Sequence, residues 1–478
     1  MVTSRRLRAT QGRFVPYHER DLALASVREN PEPIRGMDDL LEPFHASEKP
    51  PSKWRVGAEA EKFGVIVDDG PTALPYEGER SVCAIFDRFV ERHGWHEERE
   101  QPGGPVIALQ RGESSITLEP GAQLELSGAP QESIHQICAE FRGHMAELRD
   151  VSDELDIRWL GVGFHPFARQ DDLPWVPKQR YTIMRDYLPT RGSAARDMMR
   201  RTATVQANMD FDSEEDAMRK LRVGLRLAPV VAAMFANSPW CEGRPTGDKS
   251  HRTRVWLGMD PDRSGLLPFA WQGDLSYRRY VEYALDVPMF LIWREGKIVA
   301  NTHQTFREFL ANGSRGYHAT RADWDLHLNT LFPEARLKRT LELRSADAQA
   351  TDLVCALPAL CKGLLYSPKA LARAEAVADH WSHDEARAAL DPIAREALQA
   401  RLGGRELAHW AGELLEIAES GLQELCALDE AGRDERIHLQ KLRDLVTEGR
   451  TPADVLLAGV GAAEGARFRD LVLAQAHV

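Results

Sequence analysis

The chain has 478 residues, 43% of them hydrophobic, enough to bury one large core or two ordinary ones. Its net charge of -12 argues against general binding to nucleic acid or to an anionic membrane. Six cysteines without regular spacing suggest a reducing compartment rather than a disulfide scaffold, and no run approaches the ~20 apolar residues of a membrane span.

Residues 1–35 read as a polar, partly basic N-terminal tail without the apolar stretch of a signal peptide, so a cytoplasmic protein is expected. An entry helix follows at "MDDLLEPFHAS". The first strand is "WRVGAEAEKFGVIV", in which Glu59 and Glu61 are two apart and point the same way. The stretch "ESSITLEPGAQLELSGAP", residues 113–130, reads as a strand that Pro120-Gly121 bends or bulges. There Thr117, Glu119, Gln123 and Glu125 share a parity opposite to the apolar residues. A helix over 131–155 comes next, with Ile134, Ile137, Cys138, Phe141, Met145 and Leu148 on one face. In "TATVQANMDF", Thr202, Thr204, Gln206, Asn208 and Asp210 oppose Ala203, Val205, Ala207, Met209 and Phe211. In "LKRTLELRSAD", Thr340, Glu342 and Arg344 oppose Leu341 and Leu343. From residue 367 the chain is rich in Ala, Leu, Glu and Arg at helical spacing, with a break at Gly403-Gly404. The expected fold class is α+β: residues 36–366 form a sheet-and-helix core, and residues 367–478 form a helical region packed on it.

These strands carry Glu, Gln, Asn and Arg on their polar faces, where an ordinary wet sheet face carries Lys, Ser and Thr. Carboxylates are costly to bury without partners. Gathered on one cupped face they call for cations, and oxygen-only ligands select hard ones, Mg²⁺ or Mn²⁺. A basic set accompanies them: Lys178, Arg180 and Arg185 in "PKQRYTIMRDY", Arg252 and Arg254 in "SHRTRVW", and Arg344. Arginines beside such a cage suit phosphate and carboxylate groups, which points to phosphoryl chemistry.

Other chemistries lack their motifs. "GRPTGDKS" has the wrong spacing for a phosphate-binding loop, and "GVGFHP" lacks the third glycine of a dinucleotide loop. His165 and His303 are isolated and read as structural or surface residues. Trp271, Tyr280 and Tyr283 read as core or pocket wall rather than a nucleic-acid platform, with Tyr283 placed beside substrate or nucleotide. A two-carboxylate hydrolase needs fewer acids than are present. A binding protein that kept such a site without turnover is a third class.

The stretches "KWRVGAEAEKFGV", "ITLEPGAQLELSGAP", "IHQICAE", "PKQRYTIMRDYLP", "MMRRTATVQANMDF", "FANSPWCEGRPTG", "RSGLLPFAW", "YVEYALDVPMF", "TFREFL", "LFPEARLKRTLELRSAD" and "CALPAL" are collinear over about residues 35–366. Together they resemble the plant-type glutamate–cysteine ligases, which also occur in many bacteria. The resemblance implies a glutamine-synthetase-like curved antiparallel sheet backed by helices. It implies ATP- and Mg²⁺-dependent joining of the γ-carboxylate of L-glutamate to the amine of L-cysteine, the first step of glutathione synthesis. A different amine acceptor, or a non-catalytic nucleotide-binding relative, is the alternative. By the family pattern Glu59, Glu61, Glu119, Glu125 and Glu342 are metal ligands, and Gln206 and Asn208 lie at the same site. Arg180 and Arg254 line the substrate and nucleotide region, while Arg344, with Arg254, acts in catalysis. Ala60 stands where plant members have His, but it points to the opposite face.

Read from the residues alone, Cys138 and Cys355 are two buried small hydrophobes. The resemblance implies instead a regulatory disulfide between them, in a monomer or a redox-dependent homodimer.

Overall fold

The computed structural model describes residues 32–67 and 71–477. Most of the expected tail therefore lies outside the described residues. The entry helix runs over Met37–His45 and buries Leu40, Pro43 and Phe44.

Among the described residues the main sheet has ten strands. Its longest, Val56–Ile66, lies near the middle. On one side it pairs with Thr204–Met209, followed by Leu341–Asp347 and Ala335–Leu337. On the other it pairs with Leu124–Ser127, followed by Ser114–Leu118, Val106–Arg111 and His96–Arg99. The far half of Val56–Ile66 pairs with Thr72–Ala73 and Ile157–Leu160. Every pairing in this sheet is antiparallel. The architecture is α+β, a large antiparallel sheet with helices and a helical C-terminal part.

One reading from sequence changes. The 113–130 stretch is a hairpin, not one bent strand: Thr117 pairs with Glu125 and Ile116 with Leu126. Ala122 N–H donates to the Glu119 carbonyl at 3.0 Å, closing the reversal. Gly121 is required there, because a Cβ would come within 2.4 Å of the Arg200 carbonyl oxygen. Glu119 thus sits at the hairpin end, level with the acids beside it.

Alternation sends Ala58, Ala60, Ile116, Leu124, Leu126, Val205, Ala207 and Met209 to the face that joins the main core. The helix Ile134–Ser152 covers part of that face with Ile137, Cys138, Phe141 and Met145. It starts later than its sequence pattern suggests, because Ser133 and Gln136 form a capping box. Helices Glu214–Met234 and Ala356–Leu365 cover the rest.

After residue 366 the described chain is mainly helical, and Leu371, Trp381, Trp410 and Leu414 enter the same continuous core. Gly403 and Gly404 turn a short hairpin with φ of 55° and 79°, the left-handed pair a tight two-residue turn needs. Helices Pro452–Val460 and Gly465–Ala476 bury Leu456, Val460, Phe468 and Val472 against Phe63, Val65 and Leu160. Cys138, in the second turn of its helix, and Cys355, the N-cap of the helix Ala356–Leu365, are joined by a disulfide with Cα atoms 5.9 Å apart.

Candidate active site

The sheet register places the polar residues in rows on the face opposite the core. Glu61 stands across from Glu125, and Glu125 across from Thr117. Glu59 stands between Ser127 and Gln206. Asn208 stands across from Glu342, and Glu342 across from Arg336. Two carboxylates directly opposed on neighbouring strands repel, so one end of the face is acidic and the other is charge-balanced.

In the acidic half, Glu59 accepts hydrogen bonds from Asn208 Nδ2 at 2.7 Å and Gln206 Nε2 at 3.2 Å. Glu61 accepts one from the Thr204 N–H at 3.0 Å, and Glu125 one from Thr117 Oγ1 at 2.7 Å. Burial, and then the charge of Glu119, push Glu61 up to about 8, against the pull of Arg252 and Arg344. Burial also pushes Glu125 well above the carboxylate range, reinforced by Glu59, Glu61 and Glu119. Burial and the neighbouring carboxylates together outweigh the arginines and favour the protonated forms of Glu61 and Glu125.

The other half is the reverse. Glu342 is 1% exposed. Burial alone would raise its carboxyl, but Arg336, Arg344 and Lys338 outweigh it and hold it well below the usual range. Arg336 Nε donates to Glu342 at 2.8 Å, and Arg344 Nη1 bonds both Glu342 at 2.5 Å and Gln206 Oε1 at 3.0 Å. Arg252 Nη2 donates to the Arg344 carbonyl at 3.0 Å. An unbroken chain runs Glu59–Gln206–Arg344–Glu342–Arg336, from the acidic half into the basic one.

A third group comes from beyond the hairpin end. Lys178 Nζ and Tyr181 OH both donate to the Leu118 carbonyl, at 2.8 and 2.7 Å. Arg180 lies over the Tyr181 ring, its centre 4.9 Å from the centroid. Burial, then Arg180, push Lys178 down to about 8, against the opposing pull of Glu119 and Glu125.

The structure therefore brings together Glu59, Glu61, Glu119, Glu125, Glu342, Gln206, Asn208 and Arg344, with Arg180 within reach of Glu119. Arg254 departs from its expected place: it turns away to bond Asp248 and Asp391. Positions 252 and 254 sit on the helix His251–Leu257, where two residues are about 200° apart, so only Arg252 faces the sheet. Tyr283 also departs from its expected place beside substrate. Its ring packs on Phe269 and Tyr280, and the charges around it are Arg263, Asp260 and Asp262. Arg185 pairs with its neighbour Asp186 at the surface. His165 is structural, its Nδ1 accepting from the Ala168 N–H at 2.9 Å. Arg336 and Lys338 were not singled out from the sequence. Their signal is the short 337–341 turn, which folds "ARL" back along "LELR" and sets Arg336 against Glu342.

Whether these residues suit a metal ion depends on their donors. Among the described residues no three Asp, Glu, His or Cys side chains stand close enough to hold one as they are. The donor chemistry fits a hard cation all the same: four carboxylates that could supply oxygen ligands, two of them pushed toward the protonated form by burial and then by their neighbours, a penalty that a divalent ion would relieve. A pH dependence follows. A carboxyl raised from 4.5 to about 8 leaves the folded state fully stable below the unfolded value and costs stability as pH rises through the folded one. The melting temperature of metal-free protein is expected to fall between pH 5 and pH 8, more shallowly in Glu61→Gln, and millimolar Mg²⁺ should restore it at pH 8. Parallel curves for the two proteins with no Mg²⁺ effect would contradict this, with differential scanning fluorimetry as the measurement.

Comparison with known proteins decides the family. The model of glutamate–cysteine ligase family 2 matches residues 55–473. The chain belongs to that family. It is 41% identical to the chloroplastic glutamate–cysteine ligase of Brassica juncea over 423 residues, covering 88% of this chain and 80% of the relative. The chloroplastic enzyme of Arabidopsis thaliana is 40% identical, with 88% and 79% covered. Among solved structures, the glutamate–cysteine ligase of Francisella tularensis in complex with AMP aligns with a TM-score of 0.52 at 12% identity, over 88% of this chain and 87% of that one, which shows a shared fold. These names correct one expectation: the plant relatives are chloroplastic proteins, so the absence of a signal-peptide pattern gave no ground for a cytoplasmic location. The protein is a ligase of the glutamate–cysteine type.

Proposed function

We propose that this ligase joins the γ-carboxylate of L-glutamate to the amine of L-cysteine, driven by conversion of ATP to ADP and phosphate, and so begins glutathione synthesis. The observation that carries this reading is one sheet face holding four mutually repelling carboxylates beside an arginine cluster, in a chain of this family. A carboxylate is a poor acyl donor because oxide would have to leave. Phosphorylation to γ-glutamyl phosphate supplies a good leaving group, and the amine then displaces phosphate.

Each part of the face has work in that sequence. Glu59, Glu61, Glu119 and Glu125, with Glu342 at the edge of the set, would hold Mg²⁺. When bound, the ion neutralises phosphate charge. Arg344 is fixed from two sides by Gln206 and Glu342, so its guanidinium needs no reorganisation to meet charge building on a transferring phosphoryl group. Arg252 and Arg336 add positive charge around it. Lys178 and Arg180 supply a second cationic wall at the hairpin end, suited to the nucleotide or the substrate carboxylate. Release of ADP should require glutamate, cysteine and Mg²⁺ together. A panel of amines offered in place of cysteine would reveal a different acceptor as faster ADP release, and ADP release without any amine would sink the proposal.

The Cys138–Cys355 bond suits a redox switch. Its Cα separation of 5.9 Å falls in the ordinary range for a disulfide, and it ties the helix behind the hairpin to the segment following the Glu342 strand. Oxidation would then favour thiol synthesis when thiols are scarce. Dithiothreitol should lower the activity of wild-type enzyme several-fold and leave Cys138→Ser unchanged. Equal responses in both would remove the switch.

A further inference from the structure

The disulfide does not stand alone. His438, far away in sequence, lies with Nδ1 3.3 Å from Cys138 Sγ. Its Nε2 is 2.9 Å from His135 Nδ1, and His135 Nε2 is 3.3 Å from the Ala427 carbonyl oxygen. This last contact sets the direction of the whole chain. A carbonyl only accepts, so His135 Nε2 carries a proton and donates. In neutral His135 the Nδ1 is then bare and accepts from His438 Nε2–H. That leaves His438 Nδ1 bare as well, its lone pair directed at the sulfur of Cys138.

We propose that His438, oriented through His135, is the acid–base group of a thiol–disulfide exchange site at Cys138. The proposal rests on the reading that the Cys138–Cys355 bond opens and closes. In the open state Cys355, the less buried of the pair, attacks a low-molecular-weight disulfide as its thiolate, while the Cys138 S–H passes its proton to His438 Nδ1. One thiol of that reagent leaves and takes up a proton. The Cys138 thiolate then displaces the second thiol from the mixed disulfide on Cys355, forming the Cys138–Cys355 bond. Two electrons have moved from the cysteine pair to the reagent. Reduction by a dithiol runs these steps backwards, with His438 returning a proton to the departing Cys138 sulfur.

The surroundings keep the base ready. Burial, then His135, Arg142 and Arg433, hold His438 down to about 4 against the opposing pull of Asp429 while the disulfide is closed, and in the open state the Cys138 thiolate supplies the counter-charge that favours its protonated form. Asp434 faces the His135 end of the pair. The same segment holds the two cysteine-bearing helices together. Glu435, fully buried, accepts from the Ile134 N–H and from Lys362 Nζ, both at 2.7 Å. Ile134 opens the helix of Cys138, and Lys362 belongs to the helix that Cys355 caps. With the bond open the two sulfurs are therefore still held near each other.

The test uses full-length enzyme reduced with dithiothreitol and freed of it. Re-closure by oxidised glutathione at pH 7 is quenched with N-ethylmaleimide and read by peptide mass spectrometry. Wild type should close about tenfold faster than His438→Gln, following the thiolate fraction. The pH profile of Cys138 alkylation in wild type should bend below the ordinary thiol value of about 8.5, and in His438→Gln it should return to it. Equal closure rates and equal profiles in the two proteins would overturn the proposal. Should His438→Gln not fold, the wild type alone decides: Cys138 alkylating with no lower inflection than Cys355 in the same molecule would overturn it. Failure of the underlying switch looks different, as a bond that dithiothreitol opens without changing ligase activity.

Discussion

Glu61→Gln and Glu119→Gln should each cut turnover by about 10²–10³, the loss expected when one charge-stabilising group is removed from a preorganised site. Each substitution keeps side-chain shape and removes one ionisable oxygen donor. Stability should move the other way. Glu61 faces Glu125 across the strands and is pushed up by burial and by Glu119, so an amide there relieves metal-free protein at pH 8. Loss of activity with equal or higher melting temperature separates a binding role from a folding role. A suitable control is Glu91→Gln, on the exposed side of the helix Val82–His93. Glu147, which its sequence position places on an outer helix face, is unsuitable, since it accepts from Trp95 Nε1 at 3.2 Å and Arg111 at 2.8 Å. Steady-state ADP release together with thermal melts gives both readouts. Wild-type turnover in both site variants would remove the carboxylates from the mechanism.

Glu342→Gln should lose both activity and stability. Arg336, Arg344 and Lys338 surround its carboxylate, which is buried. Removing one member of a buried ion-pair group leaves the others uncompensated, at a cost of about 3–5 kcal/mol. Arg344 would also lose one of the two bonds that fix it. The expected result is a lower denaturation midpoint, with turnover depressed even where the protein is fully folded. An unchanged midpoint would show that the arginines find other partners, and that Glu342 does not hold the basic half of the site in place.

Much of this was legible in the sequence because strands have a period of two. Parity alone sorted Glu59, Glu61, Gln206, Asn208, Glu342 and Arg344 from the apolar residues between them, and the sheet keeps that sorting. The hairpin at Pro120-Gly121 was hidden because Thr117, Glu119, Gln123 and Glu125 share parity whether the chain bends or reverses. The resemblance points to Arg254 rather than Arg252, and only a helix at that point tells the two apart. Arg336 was missed because its importance comes from a cross-strand partner, fixed by a turn. The group around the disulfide had no local signal at all, since His438 and Glu435 reach Cys138 and Ile134 from 300 and 301 residues away.

Isotope transfer shows whether the γ-carboxylate of glutamate is phosphorylated before the amine attacks. Glutamate labelled with ¹⁸O in its γ-carboxylate is incubated with ATP, Mg²⁺, cysteine and enzyme, and phosphate and dipeptide are analysed by mass spectrometry. One ¹⁸O atom is expected in each phosphate released, with γ-glutamylcysteine as the product. Unlabelled phosphate, or a dipeptide linked through the α-carboxylate, would contradict it.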